Sequence, residues 1–113
     1  MSNMKIKKGT IKEIQKYVRE KTEERGFGDD PLSVRLLLLS EEVGELIHAS
    51  RKYLGMNFRN KIKDTVIGEE LTDVLHMVLS IANKLGIDME EEFIKKEDKN
   101  DKRVYKKMKD RIK

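Results

Sequence analysis

Four segments of helical periodicity, separated by glycines and the one proline, constrain the fold of this 113-residue chain most strongly. Apolar residues recur at spacings of three and four, and no stretch alternates in the manner of a β-strand. The pattern predicts helices from about Thr10 to Glu24, from Leu32 to Leu54 and from Thr65 to Leu85, and a fourth that starts near Met89. We therefore expect an all-α chain.

Turn-forming residues predict where these helices end. The stretch RGFGDDP, residues 25–31, separates the first two helices, and Gly86 is suited to follow the last residue of the third. Asp88 and Glu91 have the spacing of a capping box for the fourth helix. Residues 56–64 are interpreted as a polar connection or a short helical turn. An apolar stripe in the tail consists of Val104, Tyr105, Met108 and Ile112.

Size and composition favour one domain that spans residues 1–113. The chain is 41% charged and 37% hydrophobic, which predicts a thin core and favours a homo-oligomer. The absence of cysteine excludes disulfides and thiolate metal sites and favours a cytoplasmic location. No apolar run reaches the roughly 18 residues that span a bilayer, and the first ten residues lack the apolar core of a signal peptide. We therefore expect no membrane partner.

The net charge of +4 is unevenly distributed. Residues 95–113 contain ten basic and four acidic side chains, a balance of +6, so the preceding residues are mildly acidic. Two interpretations remain open for this basic segment: it meets a polyanion, or it is simply solvated.

The second helix carries carboxylates at the edge of its apolar face. On a helical wheel at about 100° per residue, Glu42 lies at the edge of the apolar arc and Glu45 lies just beyond it. Glu41 and His48 lie nearly opposite the centre of the arc. The wheel therefore predicts Glu42 and Glu45 on the shoulder of a buried face. The residues of that arc are Leu36, Leu39, Val43, Leu46, Ile47 and Ser50.

The third helix carries a similar pair. Glu70 falls inside its apolar surface, and Asp73 lies on the same flank one turn further along. Residues three apart on a helix have Cβ atoms about 5–6 Å apart, so the two side chains of each pair converge. The apolar arc here consists of Ile67, Leu71, Val74, Val78, Ile81, Ala82 and Leu85.

Like charges in a partly dry place repel one another and lose hydration, so they need compensation by a proton, a basic partner or a metal ion. One proton does not neutralise four acids, and no basic residue stands beside either pair on its apolar flank. The arrangement therefore favours a divalent cation, with Mg²⁺ as the first choice and Mn²⁺ as the alternative. The alternative is that these acids bind no metal and are the solvated flanks of amphipathic helices.

Three motifs in this order resemble the MazG-like all-α nucleoside triphosphate pyrophosphohydrolases. They are EEVGE at residues 41–45, ELTD at residues 70–73 and K-x-x-x-N-x-x-R at residues 96–103. The resemblance spans about residues 27–105 and implies a four- to five-helix bundle that forms a homodimer or a dimer of dimers. It also implies a Mg²⁺-dependent enzyme in which water attacks the α phosphate of a nucleoside triphosphate, releasing a monophosphate and pyrophosphate. Such activity fits nucleotide-pool house-cleaning.

The resemblance also implies roles for individual residues. By motif, the metal ligands are Glu42, Glu45, Glu70 and Asp73, and the phosphate contacts are Lys96, Asn100 and Arg103. Glu41, the first acid of the E-E pair, is assigned to orient or deprotonate the attacking water. The chain has no tryptophan, so Phe27, just before the second helix, is the first choice for stacking on the base and is equally suited to the core.

Two other classes of protein fit parts of the pattern. A di-iron carboxylate bundle uses Glu-x-x-His pairs, and the chain offers Glu45–His48 and Asp73–His76; both histidines, however, are expected on the surface, roughly 160–180° from the apolar centres. A basic nucleic-acid binder explains the tail but not the four acids, so a nucleic-acid partner is not favoured. A phosphoribosyl-ATP hydrolase remains a related alternative. Base preference, subunit number and the number of metal ions stay open.

Overall fold

The computed structural model describes residues 8–56 and 64–103. These residues form four α-helices and the turns next to them. They are α1 (Thr10–Glu24), α2 (Leu32–Tyr53), α3 (Asp64–Leu85) and α4 (Met89–Asp101), and the described residues contain no strand. The all-α prediction is confirmed, and the predicted helix boundaries agree within one residue. The apolar stripe of the tail and most of the 56–64 connection lie outside the described residues. No helix in the described part is long and apolar enough to cross a membrane.

The turn between α3 and α4 forms at the predicted residues, and Asp88 makes the N-cap bond of the predicted capping box, whereas the Glu91 carboxylate pairs with Lys95. Gly86 has a φ of 68°, a left-handed conformation that suits glycine, and the N–H of Ile87 donates to the Ala82 carbonyl at 2.9 Å. Asp88 then caps α4 by accepting a hydrogen bond from the Glu91 N–H at 3.1 Å. The Glu91 carboxylate forms an ion pair with Lys95 at 3.2 Å.

Helix α3 is the centre of the structure. It packs against both α2 and α1, and α4 packs against α1. The buried apolar residues among those described are Val18, Ala49, Leu79 and Ala82. Two of these are alanines, so the core is as thin as the composition indicated.

A buried glutamine joins three of the helices. Gln15 on α1 donates from Nε2 to the Asn83 Oδ1 at 3.0 Å and to the Ile87 carbonyl at 2.7 Å, and its Oε1 accepts from the Met89 N–H at 3.0 Å. Asn83 returns a hydrogen bond from Nδ2 to the Gln15 carbonyl at 3.1 Å. Because their polar atoms are paired, these side chains are tolerated in the interior.

The buried face of α2 differs from the predicted one. Leu36, Val43 and Ile47 are exposed by 49%, 36% and 56%, whereas Arg35 and Ala49 are buried and Glu42 is half-buried. The face that packs on α3 is therefore rotated by about a quarter-turn from the predicted apolar centre. The reason is that α2 is apolar around much of its circumference, and α3 takes the sector that contains Arg35 and Glu42.

Candidate active site

Helices α2 and α3 bring together three of the four predicted metal ligands. One carboxylate oxygen from each of Glu42, Glu45 and Glu70 lies within 4.8 Å of the other two. We call these three residues the acidic cluster. They meet because α2 and α3 pack along their lengths and each helix turns carboxylates toward the other.

The burial of two of these carboxylates is unusual for charged groups. Glu42 and Glu70 are half-buried, and the Oε2 atom of each is buried without a hydrogen-bond partner. Burial, and then the nearby negative charges, raises the pKa of the Glu42 carboxyl above its ordinary value; in order of effect, the charges are those of Glu45, Asp73, Glu70 and Glu41. A buried oxygen without a partner is destabilising, and a divalent cation would supply the missing interaction. The donor set, carboxylate oxygens only, is the kind that Mg²⁺ and Mn²⁺ prefer.

The remaining predicted acids lie at the edge of the cluster. Asp73 and Glu41 are exposed, and their charges contribute to the raised pKa of Glu42. Asp73 is not among the residues whose oxygens converge within 4.8 Å. The exposure of Glu41 agrees with its predicted position opposite the apolar face.

A cavity of about 280 Å³ adjoins the cluster at Glu42, between α1, the 25–31 loop, α2 and α3. We call it the apolar cavity because most of its lining surface is apolar, and Phe27, Leu38 and Met77 are its apolar lining residues. Its polar lining residues are Thr22, Arg25, Asp30, Arg35, Glu42, His76 and Ser80. Phe27 lines this cavity. Because its side chain is 55% exposed, it is not a core residue.

A second cavity adjoins the same acids from another direction. It has a volume of about 190 Å³ and is lined by Glu45 and Glu70 together with His48, Ala49, Lys52 and Val66. The acidic cluster therefore contacts two cavities, one of them largely apolar and the other containing a histidine and a lysine.

Arg35 is a buried residue of the site that the sequence analysis missed. Its side chain donates to carbonyl oxygens of the 25–31 loop, with Nη2 2.9 Å from the Gly28 carbonyl and Nε 3.0 Å from that of Asp30. Nη1 lies 3.0 Å from both the carbonyl oxygen and the hydroxyl of Ser80 on α3. A signal was present: Arg35 is the only arginine or lysine between Arg25 and Arg51, and it lies two turns before Glu42 on the same helical face.

The predicted surface position of His76 is wrong. The side chain is half-buried, it lines the apolar cavity together with Glu42, and its Nε2 is buried without a hydrogen-bond partner. Burial, followed by the positive charge of Arg25, lowers the pKa of His76, and the charge of Asp73 opposes them. The wheel placed His76 opposite the apolar centre of α3, but the 25–31 loop and α2 cover that side. His48, by contrast, is exposed as expected.

The basic motif lies on a different part of the described structure. Lys96 belongs to α4, and the cavity that it lines is formed only by side chains from residues 92–102. The Asn100 side chain donates to Glu97 Oε1 at 3.3 Å, and Arg103 follows the end of α4. Because α4 packs against α1, the structure does not place these residues in either cavity of the acidic cluster. Their contact with phosphate stays a prediction.

Comparison with protein families matches residues 32–111 to the MazG nucleotide pyrophosphohydrolase domain. No curated protein and no solved structure matches the chain. The matched region covers more than half of the sequence and includes α2 and α3 with all of the acidic cluster. This confirms the resemblance seen in the motifs: the chain belongs to the MazG nucleotide pyrophosphohydrolase domain family.

Proposed function

We propose that this chain is a divalent-cation-dependent nucleoside triphosphate pyrophosphohydrolase that releases a nucleoside monophosphate and pyrophosphate. The observation that carries the proposal is the convergence of three carboxylates, two of them with a buried oxygen that has no hydrogen-bond partner. Membership of the MazG family supports the class of reaction. Removal of unwanted nucleotides from the cellular pool is the role that we propose for this activity.

Glu42, Glu45 and Glu70 would hold the cation, with Asp73 completing the set from the edge of the cluster. Mg²⁺ is the ion that we propose, and Mn²⁺ is the alternative. When bound, the cation neutralises charge on the phosphate oxygens and makes the α phosphate a better target for water. The raised pKa of Glu42 fits this role, since burial and then the crowding of other carboxylates disfavour its ionised form, and a shared cation would offset both.

Other residues of the chain would orient the substrate. Phe27 stacks on the base in the apolar cavity, which places the triphosphate toward Glu42 and the acidic cluster. Glu41 is exposed beside the cluster and would orient the attacking water or accept its proton. Lys96, Asn100 and Arg103 would contact the phosphates, with Arg103 suited to a bidentate contact.

The test is a pyrophosphate-release assay across normal and modified nucleoside triphosphates in the presence of Mg²⁺. The wild-type protein should release pyrophosphate, and Glu70→Gln should lose turnover while it keeps the helical circular-dichroism signal. Glu69→Gln is a matched control, because Glu69 is the exposed acid beside Glu70 on the same helix. Full activity in Glu70→Gln, or no release from any nucleotide by the wild type, would count against the proposal.

We also propose that two copies pair through an exposed apolar stripe on α2. Leu36, Val43 and Ile47 on α2 and the C-cap residue Leu54 fall within about 40° of one another on the helical wheel, and all four are exposed. Leu71 and Leu75 are likewise exposed on α3. Contiguous exposed apolar surface of this kind marks interaction sites.

Sedimentation or light scattering would measure the assembly. The wild type should have at least twice the mass of one chain, and Ile47→Glu should shift it toward the monomer because a charge at the centre of the stripe opposes burial. Ser33→Glu, also exposed on α2, is the control that should leave the mass unchanged. A monomeric wild type at high concentration would exclude the pairing.

A further inference from the structure

Two hydrogen-bond donors that line the apolar cavity have no hydrogen-bond or ion-pair partner among the described residues, in addition to the Glu42 carboxylate of the acidic cluster. The Nε2 atom of His76 is buried and makes no hydrogen bond. Arg25 lines the same cavity, and its guanidinium makes no ion pair within residues 8–56 and 64–103. A buried polar atom without a partner costs stability, so it indicates a group that arrives with a ligand.

Several of the other polar groups of the cavity are already committed. The Thr22 hydroxyl donates to the Val18 carbonyl at 2.6 Å. The Arg35 donors are directed at the 25–31 loop and at Ser80, whose hydroxyl accepts one of them at 3.0 Å. Apart from the carboxylates of Asp30 and Glu42, His76 and Arg25 are thus left as the donor groups that a ligand in this cavity can recognise.

The chemistry of these two groups favours a ligand that presents an oxygen acceptor. Arg25 has donors only. His76 carries one N–H in its neutral form, and burial, together with the charge of Arg25, lowers the pKa of its imidazole and so favours that form near neutral pH. Phe27, Leu38 and Met77 provide apolar walls that suit a planar ring.

We propose that His76 determines the nucleobase preference of this enzyme by donating a hydrogen bond from Nε2 to a carbonyl oxygen of the base, beside Arg25. The inference rests on the proposed function, because the base occupies the apolar cavity while its triphosphate reaches Glu42. Uracil, thymine, cytosine, guanine and hypoxanthine each carry a carbonyl oxygen and are the preferred class. Adenine carries no carbonyl oxygen and is the poor substrate. His76 is thus a specificity-determining residue.

The first experiment compares kcat/KM for uridine and adenosine triphosphates in the wild type and two His76 variants. The wild type should favour the uridine nucleotide, and His76→Leu should reduce this preference by about tenfold, the value of one hydrogen bond of about 1.4 kcal/mol. His76→Gln, whose amide retains an N–H donor, should keep part of the preference. His48→Leu is the matched control, because His48 lies three residues after Glu45 just as His76 lies three residues after Asp73. This variant should leave the order of the two substrates unchanged.

The second experiment needs no catalysis. The chain has two histidines, so the imidazole nitrogen signals in a long-range ¹H–¹⁵N spectrum are assigned by comparison with His48→Leu. In the presence of EDTA, uridine monophosphate should move the His76 signals and adenosine monophosphate should move them much less, with His48 unaffected by either. The same spectrum should show the neutral tautomer with its proton on Nε2.

The outcomes separate the two proposals. Wild-type activity with an unchanged base preference in His76→Leu overturns the role of His76 and leaves the hydrolase standing. Absence of pyrophosphate release with a uridine-selective shift of His76 overturns the hydrolase and retains the base contact. Equal shifts with both monophosphates, or none with either, overturn the inference about His76. If His76→Leu loses its helical signal, the wild-type spectrum decides, and a His76 imidazole that neither monophosphate moves overturns the inference.

Discussion

Arg35 Nη1 donates hydrogen bonds to both the carbonyl oxygen and the hydroxyl oxygen of Ser80, each at 3.0 Å. This contact joins α2 to α3 inside the protein, and the other nitrogens of the same guanidinium hold the carbonyls of the 25–31 loop. Arg35 therefore fixes the wall of the apolar cavity that carries Phe27. A rigid planar fork serves several acceptors at once, which an apolar residue or a lysine does not do.

Arg35→Leu should destabilise the protein by roughly 2–4 kcal/mol, because it removes the donor from buried oxygens of Ser80 and from partly buried carbonyls of the 25–31 loop. Arg35→Lys should recover only part of this loss, since an ammonium group does not reproduce the planar fork. Urea denaturation followed by circular dichroism measures both. Arg19→Leu, at an exposed arginine, is the control. If Arg35→Leu were as stable as the wild type, the loop would not depend on Arg35.

Glu90 on α4 caps the start of α1. Its Oε1 accepts a hydrogen bond from the Gly9 N–H at 2.6 Å, and the Lys12 N–H lies at 3.4 Å; Gly9 is the N-cap residue and supplies no side-chain cap of its own. Glu90→Ala should cost about 1–2 kcal/mol, the typical effect of removing an N-cap acceptor. Amide hydrogen exchange should show faster opening of the first turn of α1.

Glu90→Gln retains an acceptor and should have a smaller effect than Glu90→Ala. Glu92→Ala removes an exposed acid of the same helix and serves as the control. Equal protection of the first turn of α1 in the wild type and in Glu90→Ala would contradict the capping role.

Asp88 makes stability depend on pH at the start of α4. The hydrogen bond from the Glu91 N–H, with further help from Lys12, lowers the pKa of the Asp88 carboxyl below its ordinary value. A lowered folded-state pKa means that the ionised form contributes stability above the ordinary pKa of Asp, and that this contribution is lost as the pH falls through the folded value. Asp88→Asn should therefore have a lower Tm than the wild type at neutral pH, and the difference should shrink on acidification. A difference in Tm between the two proteins that grows as the pH falls would contradict the lowered pKa of Asp88.

Cation binding should stabilise the protein through the acidic cluster. Addition of Mn²⁺ at about 100 times its Kd should stabilise the wild type by about 2.7 kcal/mol by mass action, and EDTA should reverse the effect. Glu70→Gln should lose most of this response, because it replaces a ligand. In EDTA the same variant should melt above the wild type, since one repelling charge has been removed. Thermal melts in both buffers are the measurement, and an equal Mn²⁺ response in the two proteins would contradict the ligand assignment.

The local features of this fold were readable from the sequence. The four helices, the left-handed Gly86 and the Asp88 cap follow from interactions between residues a few positions apart, so that periodicity and turn chemistry predict them. The pairing of Glu42 with Glu45 across one turn is local in the same sense. The convergence of this pair with Glu70 was also predicted, because each helix carried its acids beside an apolar surface.

The sequence by itself determined the helices, their ends and the presence of two acid-bearing faces. The tertiary structure decided which sector of α2 is buried, that Arg35 has its partners in the 25–31 loop and on α3, and that His76 lies in a cavity and not on the surface. The physical reason is that a helical wheel fixes the angles between side chains of one helix but not the direction from which a neighbour approaches. Helix α2 is apolar around most of its circumference, so contacts with distant parts of the chain set that direction. Here these contacts are the hydrogen bonds from the buried Arg35 guanidinium to carbonyl oxygens of the 25–31 loop and of Ser80.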